Sequence, residues 1–194
     1  MKTLILLLAA VSLNAQQSRV TLDTNATKVN FTLGDVLHTV HGTFKLTSGN
    51  LWFDSTSSKA GGTVVVNAAS GDSGSHARDS RMNKNILESA LYPEITFVPD
   101  RIEGQINQSG HSEFKLHGMF AIHGGTHELT ANAKADIKDG HLTTTAGFEV
   151  PYVKWGLKNP STLFLRVNDI VIIEIDAVGQ VSDAVSAFSS LVSQ

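Results

Sequence analysis

Residues 113–134 read Glu-Phe-Lys-Leu-His-Gly-Met-Phe-Ala-Ile-His-Gly-Gly-Thr-His-Glu-Leu-Thr-Ala-Asn-Ala-Lys, and this stretch decides the fold class. Before the Gly-Gly pair, Phe114 and Leu116 alternate with charged or polar residues. After it, Leu129 and Ala131 do the same. A period of two predicts half-buried strands, and a Gly-Gly pair between two such runs predicts the turn of a β-hairpin.

The same period recurs on both sides of this hairpin. Alternating runs lie at residues 28–33, 39–46, 163–167 and 171–176, and Gly, Asn and Asp residues separate the runs. A spacing near ten residues is typical of a barrel or a sandwich, and a long meander is expected to close because closure removes its edges. We therefore predict a mainly β protein, an antiparallel barrel of about eight strands.

Two segments break the pattern. Residues 78–90 have helical spacing, and Tyr92-Pro93 ends that run, which predicts a short helix over one opening of the barrel. Around the helix start, His76, Arg78 and Arg81 could face an anionic or polar headgroup, or Arg78 and Asp79 could form a local ion pair. Residues 181–192 predict either a small C-terminal helix or a frayed tail.

Composition limits the function classes. The chain has 194 residues, no cysteine and a net charge of -3, which indicates one domain without disulfides. Residues 1–15 have the pattern of a secretory signal, with an uncleaved anchor as the alternative. No run of basic residues occurs, so nucleic-acid binding and docking on anionic lipid surfaces are both disfavoured. We expect an exported protein without a stable membrane anchor. The periplasm is the favoured location, and the space outside the cell is the alternative.

No arrangement in the sequence anchors catalysis. His117, His123 and His127 lie close together, but strand parity and a Gly-Gly turn separate them, so hydrogen-bonded or exposed histidines are favoured over a metal site. The sequence has neither a Gly-x-Ser-x-Gly elbow nor a close carboxylate pair. We expect no enzyme activity, no metal and no cofactor.

The aromatic residues leave two alternatives open. Most of the phenylalanines fall at strand positions, and two tryptophans accompany them. In a narrow barrel they would form a solid core, and in a wider one they would line an elongated apolar pocket.

Several motifs, in their order and spacing, carry a resemblance to a known family over roughly residues 19–179. They are His38-Thr-Val-His-Gly-Thr-Phe44, Gly49-Asn-Leu-Trp-Phe-Asp54, His76-Ala-Arg-Asp79, Tyr92-Pro-Glu-Ile-Thr-Phe97, Leu116-His-Gly118, Ile122-His-Gly124, Phe148-Glu-Val-Pro-Tyr152, Trp155-Gly156, Asn159-Pro160 and Val171-Ile-Ile-Glu-Ile175. Taken together they resemble the YceI-like family of exported bacterial proteins. Ile86-Leu87 stand where the family often has two aromatic residues, and residues 180–194 form a tail outside the resemblance.

The resemblance implies a lipocalin-like barrel whose apolar tunnel holds a polyisoprenoid or another long-chain lipid. The expected apolar lining is Phe31, Phe44, Phe97, Phe114, Phe120, Phe148, Trp155, Ile86 and Leu87, and the expected mouth residues are His76, Arg78 and Asp79. The leading hypothesis is a soluble lipid-binding protein, with a homodimer left open. The alternatives are an exported barrel enzyme or isomerase acting on a small apolar substrate, and a solid-core stress or interaction protein.

Overall fold

Nine antiparallel strands and one short helical segment form the described part of the chain, residues 17–34, 38–163 and 165–183 of a computed structural model. The strands are β1 (Gln17–Leu22), β2 (Lys28–Gly34), β3 (Thr39–Asp54), β4 (Lys59–Asp72), β5 (Glu94–Gly104), β6 (Gly110–Ile122), β7 (Gly125–Lys138), β8 (His141–Val150) and β9 (Val171–Asp183). Helix α1 (His76–Arg81) continues into a π-helical turn (Met82–Ile86).

The sheet closes into a barrel with eight strand positions. Strands β3 to β9 pair in chain order, and β1 and β2 share the one remaining position between β9 and β3. Strand β1 pairs with the last residues of β3 and β9, while β2 pairs with their first residues. The turn between β1 and β2 is held by Asp23, whose carboxylate accepts the backbone N–H of Asn25 at 2.8 Å. The predicted antiparallel barrel of about eight strands is confirmed.

The two ends of the barrel differ. At the helix end, β4 ends, β5 begins, and residues 73–92 cross between them; we call these residues the cap segment. Residues 151–163 and 165–170, between β8 and β9, lie at the same end and form the rim loop. In the described part of the chain, the far end carries the start of β1, the end of β9, the short β3–β4 and β7–β8 turns and the longer β5–β6 connection. Any opening at the helix end is therefore bordered by the two longest connections.

The side chains that point inward are apolar, as the alternation predicts. In β7 every second residue is buried, and the buried set is Leu129, Ala131, Ala133, Ala135 and Ile137. Val20 and Val150 are each only 2 % exposed, and each lies in one of two apolar clusters, at the far end and the helix end respectively. Among the described residues, no helix has the length and apolarity that a bilayer-spanning helix needs.

Two local predictions are corrected. Residues 163 and 165–167 are not a strand, because Ser161 and Asn159 side chains hydrogen-bond the backbone of Val167 at 2.8 and 3.1 Å; Phe164 lies outside the described residues. The helical segment spans 76–86 instead of 78–90, because Glu88 has a left-handed φ of 47°. Residues 181–183 continue β9 and pair with β1. The rest of the tail, for which the sequence predicts either a small helix or a frayed end, lies outside the described residues.

Candidate ligand-binding cavity

An elongated apolar cavity of about 640 Å³ fills the interior of the barrel. At the far end it is lined by Leu51, Phe53 and Val64, and at the helix end by Arg78 and Met82 of the cap segment. The interior is therefore not a solid core. The volume lies within the usual range of ligand sites.

Small residues on the inward face of three strands leave this space. Ala133 faces inward from β7, and its cross-strand neighbours are Phe114 in β6 and Ala146 in β8. Ala177 of β9 also lines the cavity. Because an alanine side chain ends at Cβ, inward positions that a compact barrel would fill with branched residues remain empty here.

Most of the predicted lining residues come together at the cavity. The ones that line it are Phe31, Phe44, Phe97, Phe114, Phe120, Phe148, Ile86 and Leu87. Phe31 and Phe44 contact each other with ring centroids 5.3 Å apart, and Phe120 and Phe148 do so at 5.8 Å. Of the predicted mouth residues, Arg78 lines the cavity, whereas His76 and Asp79 do not.

Trp155 was predicted to line the cavity, but the structure places it outside the lining. Its ring stacks on His127 with centroids 4.3 Å apart and an interplanar angle of 1°, and it contacts Phe120 at 5.7 Å from behind. Its neighbour Gly156 has a φ of 94°, a left-handed conformation that glycine adopts without strain. Trp155 thus supports a cavity wall and fixes the rim loop.

A compact polar cluster within the cap segment joins Ser73, the residue that follows β4, to the start of the helical segment. Ser73 donates its backbone N–H to Asp79 at 2.9 Å and also donates its hydroxyl to that carboxylate. Arg78 donates to the Ser73 hydroxyl at 2.8 Å and to the Ser73 carbonyl at 2.9 Å. The Ser73 hydroxyl is the main cause of the lowered pKa of Asp79, which burial opposes. Asp79 is therefore a structural anchor of the cap segment.

A glycine allows the cap segment to pack closely on the barrel. A Cβ at Gly71 would overlap the methyl group of Met82 and lie 2.8 Å from the Phe44 ring. Met82, Ile86 and Leu87 all line the cavity from the cap segment. The helical segment consequently forms the apolar roof of the cavity.

Two arginines are the only charged groups among the described residues that line the cavity. Arg78 and Arg81 both belong to the helical segment and are exposed to solvent on their outer side. Arg81 donates to the carbonyl of Pro160 in the rim loop at 3.1 Å. Each guanidinium has five N–H donors, so both retain donors for a ligand. The cavity is therefore apolar along its length and cationic at one end.

Glu88 ties the cap segment to both of its neighbours at the helix end. Its carboxylate lies 3.0 Å from Nε2 of His123 in the β6–β7 turn and 3.4 Å from Nζ of Lys158 in the rim loop. The His123 hydrogen bond, ahead of Lys158, lowers the pKa of Glu88. Both Glu88 and His123 have left-handed backbone conformations, with φ of 47° and 52°. These contacts hold the roof in one position.

Tyr152 is the one titratable cavity-lining residue with a shifted pKa in the described part of the chain. Burial, followed by the nearby Asp169 charge, raises the pKa of its phenol to about 12. The hydroxyl donates to the carbonyl of Asn168 at 2.7 Å. Because a phenol with this pKa stays protonated and its proton is already donated, it anchors the rim loop and is a poor acid or base.

The three histidines that lie close together in the sequence, His117, His123 and His127, contact different partners in the structure. His117 lies 3.3 Å from Glu103 and 2.8 Å from the Thr130 hydroxyl, while His123 contacts Glu88 and His127 stacks on Trp155. Within the described ranges, no three His, Cys, Asp or Glu side chains come together as a metal site would require.

Sequence reasoning missed lining residues in the rim loop and the cap segment. They are Met82 of the helical segment and Tyr152, Leu157 and Leu165 of the rim loop. Helical spacing placed Met82 on the same side as Ile86 and Leu87, whereas strand parity does not apply to the rim loop, so the sequence carried no signal for the direction of its side chains. The inward alanines of β7 did carry a signal, since they follow the period of two.

Comparison with known proteins agrees with this fold. The model of the YceI-like domain matches residues 20–179. Burkholderia cenocepacia BcnA is similar in structure, with a TM-score of 0.69 and 18% identity over 81% of this chain and 98% of its own. A polyisoprenoid binding domain from Saccharophagus degradans has a TM-score of 0.61 and 13% identity over 84% and 98%.

A third solved structure, the Campylobacter jejuni YceI protein, has a TM-score of 0.51 and 16% identity, covering 92% of this chain and 89% of its own. No curated protein sequence matches the chain. Identities this low show a common fold, while the domain model covers most of the chain. The chain belongs to the family of YceI-like domain proteins.

Proposed function

We propose that this protein binds a long-chain lipid and sequesters or carries it in the barrel cavity. Among long-chain lipids, a polyisoprenoid is the favoured ligand. The observation that supports this most is the continuous apolar cavity with cationic groups at one end only. A molecule with a long hydrocarbon tail and a small polar head has the matching shape and polarity. The similar domain from Saccharophagus degradans is known as a polyisoprenoid binding domain, which supports the same ligand class.

Burial of the tail would supply most of the affinity. Each buried methylene contributes ~0.8 kcal/mol, so a tail that buries ~10 of them gains ~8 kcal/mol before the costs of association. No strong polar contact along the tail is needed. Arg78 and Arg81, which line the cavity at the roof, would hold the head there with the N–H donors that the fold does not use.

We further propose that the protein acts after export, and the periplasm is the favoured location. The pattern of residues 1–15 supports this, although those residues lie outside the described ranges. The test is the intact mass of the protein recovered from the periplasmic fraction. A mass short by a leader peptide supports export, and a full-length protein confined to the cytosolic fraction contradicts it.

A binding protein is favoured over an enzyme because the described lining residues include neither a carboxylate nor an imidazole. The lining phenol, Tyr152, is committed to the rim loop. Turnover of a small apolar substrate would require an acid or base in contact with it.

The direct test is a titration of delipidated protein with a polyprenol, in which tryptophan fluorescence reports binding. We expect Phe120→Asp to abolish binding, because it places a charge against the tail at a position only 7 % exposed. The matched control is Met119→Asp, since Met119 precedes Phe120 in β6 and is 39 % exposed. Circular dichroism checks that both variants fold. Wild-type affinity in a folded Phe120→Asp protein would contradict the proposal.

A further inference from the structure

Among the described residues, the two most exposed large apolar side chains lie at the helix end, while Val98, Met119 and Ile172 are less exposed and lie on strands. Leu163 in the rim loop is 90 % exposed and Leu91 in the cap segment is 73 % exposed. Ile170, at the end of the rim loop, is 42 % exposed. Large apolar side chains this exposed, grouped around one opening, indicate an interaction surface.

The two long connections at this end carry a positive charge balance, and exposed Asp72 and Glu94 flank the cap segment. The cap segment and the rim loop together contain six cations and three carboxylates, a balance of three positive charges in a chain whose net charge is -3. The cations are Arg78, Arg81, Lys84, Lys154, Lys158 and Arg166, and all six are exposed. Among residues 17–34, 38–163 and 165–183, only Lys158 of these six forms a salt bridge, to Glu88.

The fold creates this positive surface. The cations at 78–84 and 154–166 are about seventy positions apart in the sequence, so no basic run appears there. The barrel brings the two segments together, and Arg81 and Lys158 join them through Pro160 and Glu88. The sequence argument against anionic lipid surfaces therefore does not apply to the folded protein.

We propose that the helix end is a docking surface for an anionic phospholipid bilayer. Leu91 and Leu163 insert among the acyl chains at the bilayer surface, and the surrounding lysines and arginines contact the lipid phosphates. The roof of the cavity then faces the membrane, which is where a lipid cargo would enter or leave. This last point rests on the proposed function, whereas docking itself needs no cargo.

The experiment measures sedimentation of delipidated protein with two kinds of vesicle. One contains equal parts phosphatidylglycerol and phosphatidylcholine, and the other contains phosphatidylcholine alone. We expect binding to the anionic vesicles, and we expect it to be lost when the salt rises from about 0.1 M to about 1 M, where the Debye length falls from ~10 to ~3 Å. Absence of binding to anionic vesicles at low salt would overturn the proposal.

Two matched pairs of variants locate the surface. Leu163→Glu removes a protruding side chain at the helix end, and Met119→Glu makes the same charge change on the barrel wall. Lys84→Glu reverses a charge in the cap segment, and Lys138→Glu does so at the far end of β7. We expect Leu163→Glu and Lys84→Glu to weaken vesicle binding about tenfold, with little effect of the two controls.

Equal losses for controls and helix-end variants would overturn the docking geometry. A dimer that Leu163→Glu dissociates, in a protein that binds no vesicles, would also overturn it by assigning the surface to a second copy. Binding to vesicles by a protein that takes up no polyprenol would contradict the proposed function and leave docking supported. The two proposals can therefore fail independently.

Discussion

A larger side chain on the inward face of β7 should fill the cavity and weaken ligand binding while leaving the free energy of unfolding nearly unchanged. Ala133 is 6 % exposed, points inward between Phe114 and Ala146, and lines the cavity near the middle of the barrel. In Ala133→Phe the added ring extends into space that a bound tail would occupy. The matched control is Asn132→Phe, because Asn132 is the preceding residue of the same strand and points outward.

The expected loss follows from the length of tail that the ring displaces. A phenyl ring excludes a stretch of about four methylenes, and at ~0.8 kcal/mol each this removes ~3 kcal/mol, or more than a hundredfold in Kd. The free energy of unfolding should change little, because the ring enters an apolar cavity and does not displace packed side chains. A strained fit would cost about 1–3 kcal/mol instead.

The assay is polyprenol titration together with urea unfolding of both variants. We predict that Ala133→Phe folds and loses binding, and that Asn132→Phe binds as the wild type does. If folded Ala133→Phe binds polyprenol with unchanged Kd, the tail does not pass this position and the cavity is not the binding site.

Further predictions concern stability and the mouth of the cavity. Leu129→Ala, in the apolar cluster at the helix end, should lower the free energy of unfolding by about 2–5 kcal/mol in urea; a loss well below this would mean that the site collapses around the deletion. The lowered pKa of Glu88 means that its contact with His123 stabilises the fold above its ordinary pKa of 4.5, and that this contribution is lost as the pH falls through the lowered value. Urea midpoints at acidic and neutral pH should therefore differ less in Glu88→Gln than in the wild type, and an identical difference would contradict the assignment. Arg81→Gln should weaken binding of a prenyl phosphate about tenfold and leave that of the uncharged prenol unchanged, as measured by the same titration; equal effects on both ligands would place the head elsewhere.

The strand pattern allowed the barrel to be predicted, because inward and outward residues must alternate in every strand of a closed sheet. Residues such as Phe114 and Phe120 could thus be assigned to the interior from parity alone. The 163–167 run shows the limit of this reasoning. It alternates like a strand, but side chains of Ser161 and Asn159 satisfy the backbone of Val167 locally.

The parts of the site that parity does not govern could not be predicted. Trp155 matches a family motif, yet its direction depends on the stacking partner His127, which lies about thirty residues earlier in the chain. The end of the helical segment depends on Glu88, whose left-handed conformation is accompanied by contacts to His123 and Lys158. Whether the barrel was hollow depended on the combined volume of inward side chains from all strands, which no single segment reveals.

Mass spectrometry of an organic extract from the natively purified protein tests the central claim most directly. The account predicts one long-chain lipid at close to one molecule per protein, and the favoured identity is a polyisoprenoid. It also predicts that Ala133→Phe, purified in the same way, carries far less of it. An extract that stays empty after incubation of the protein with native membranes would contradict the claim that the cavity holds a lipid.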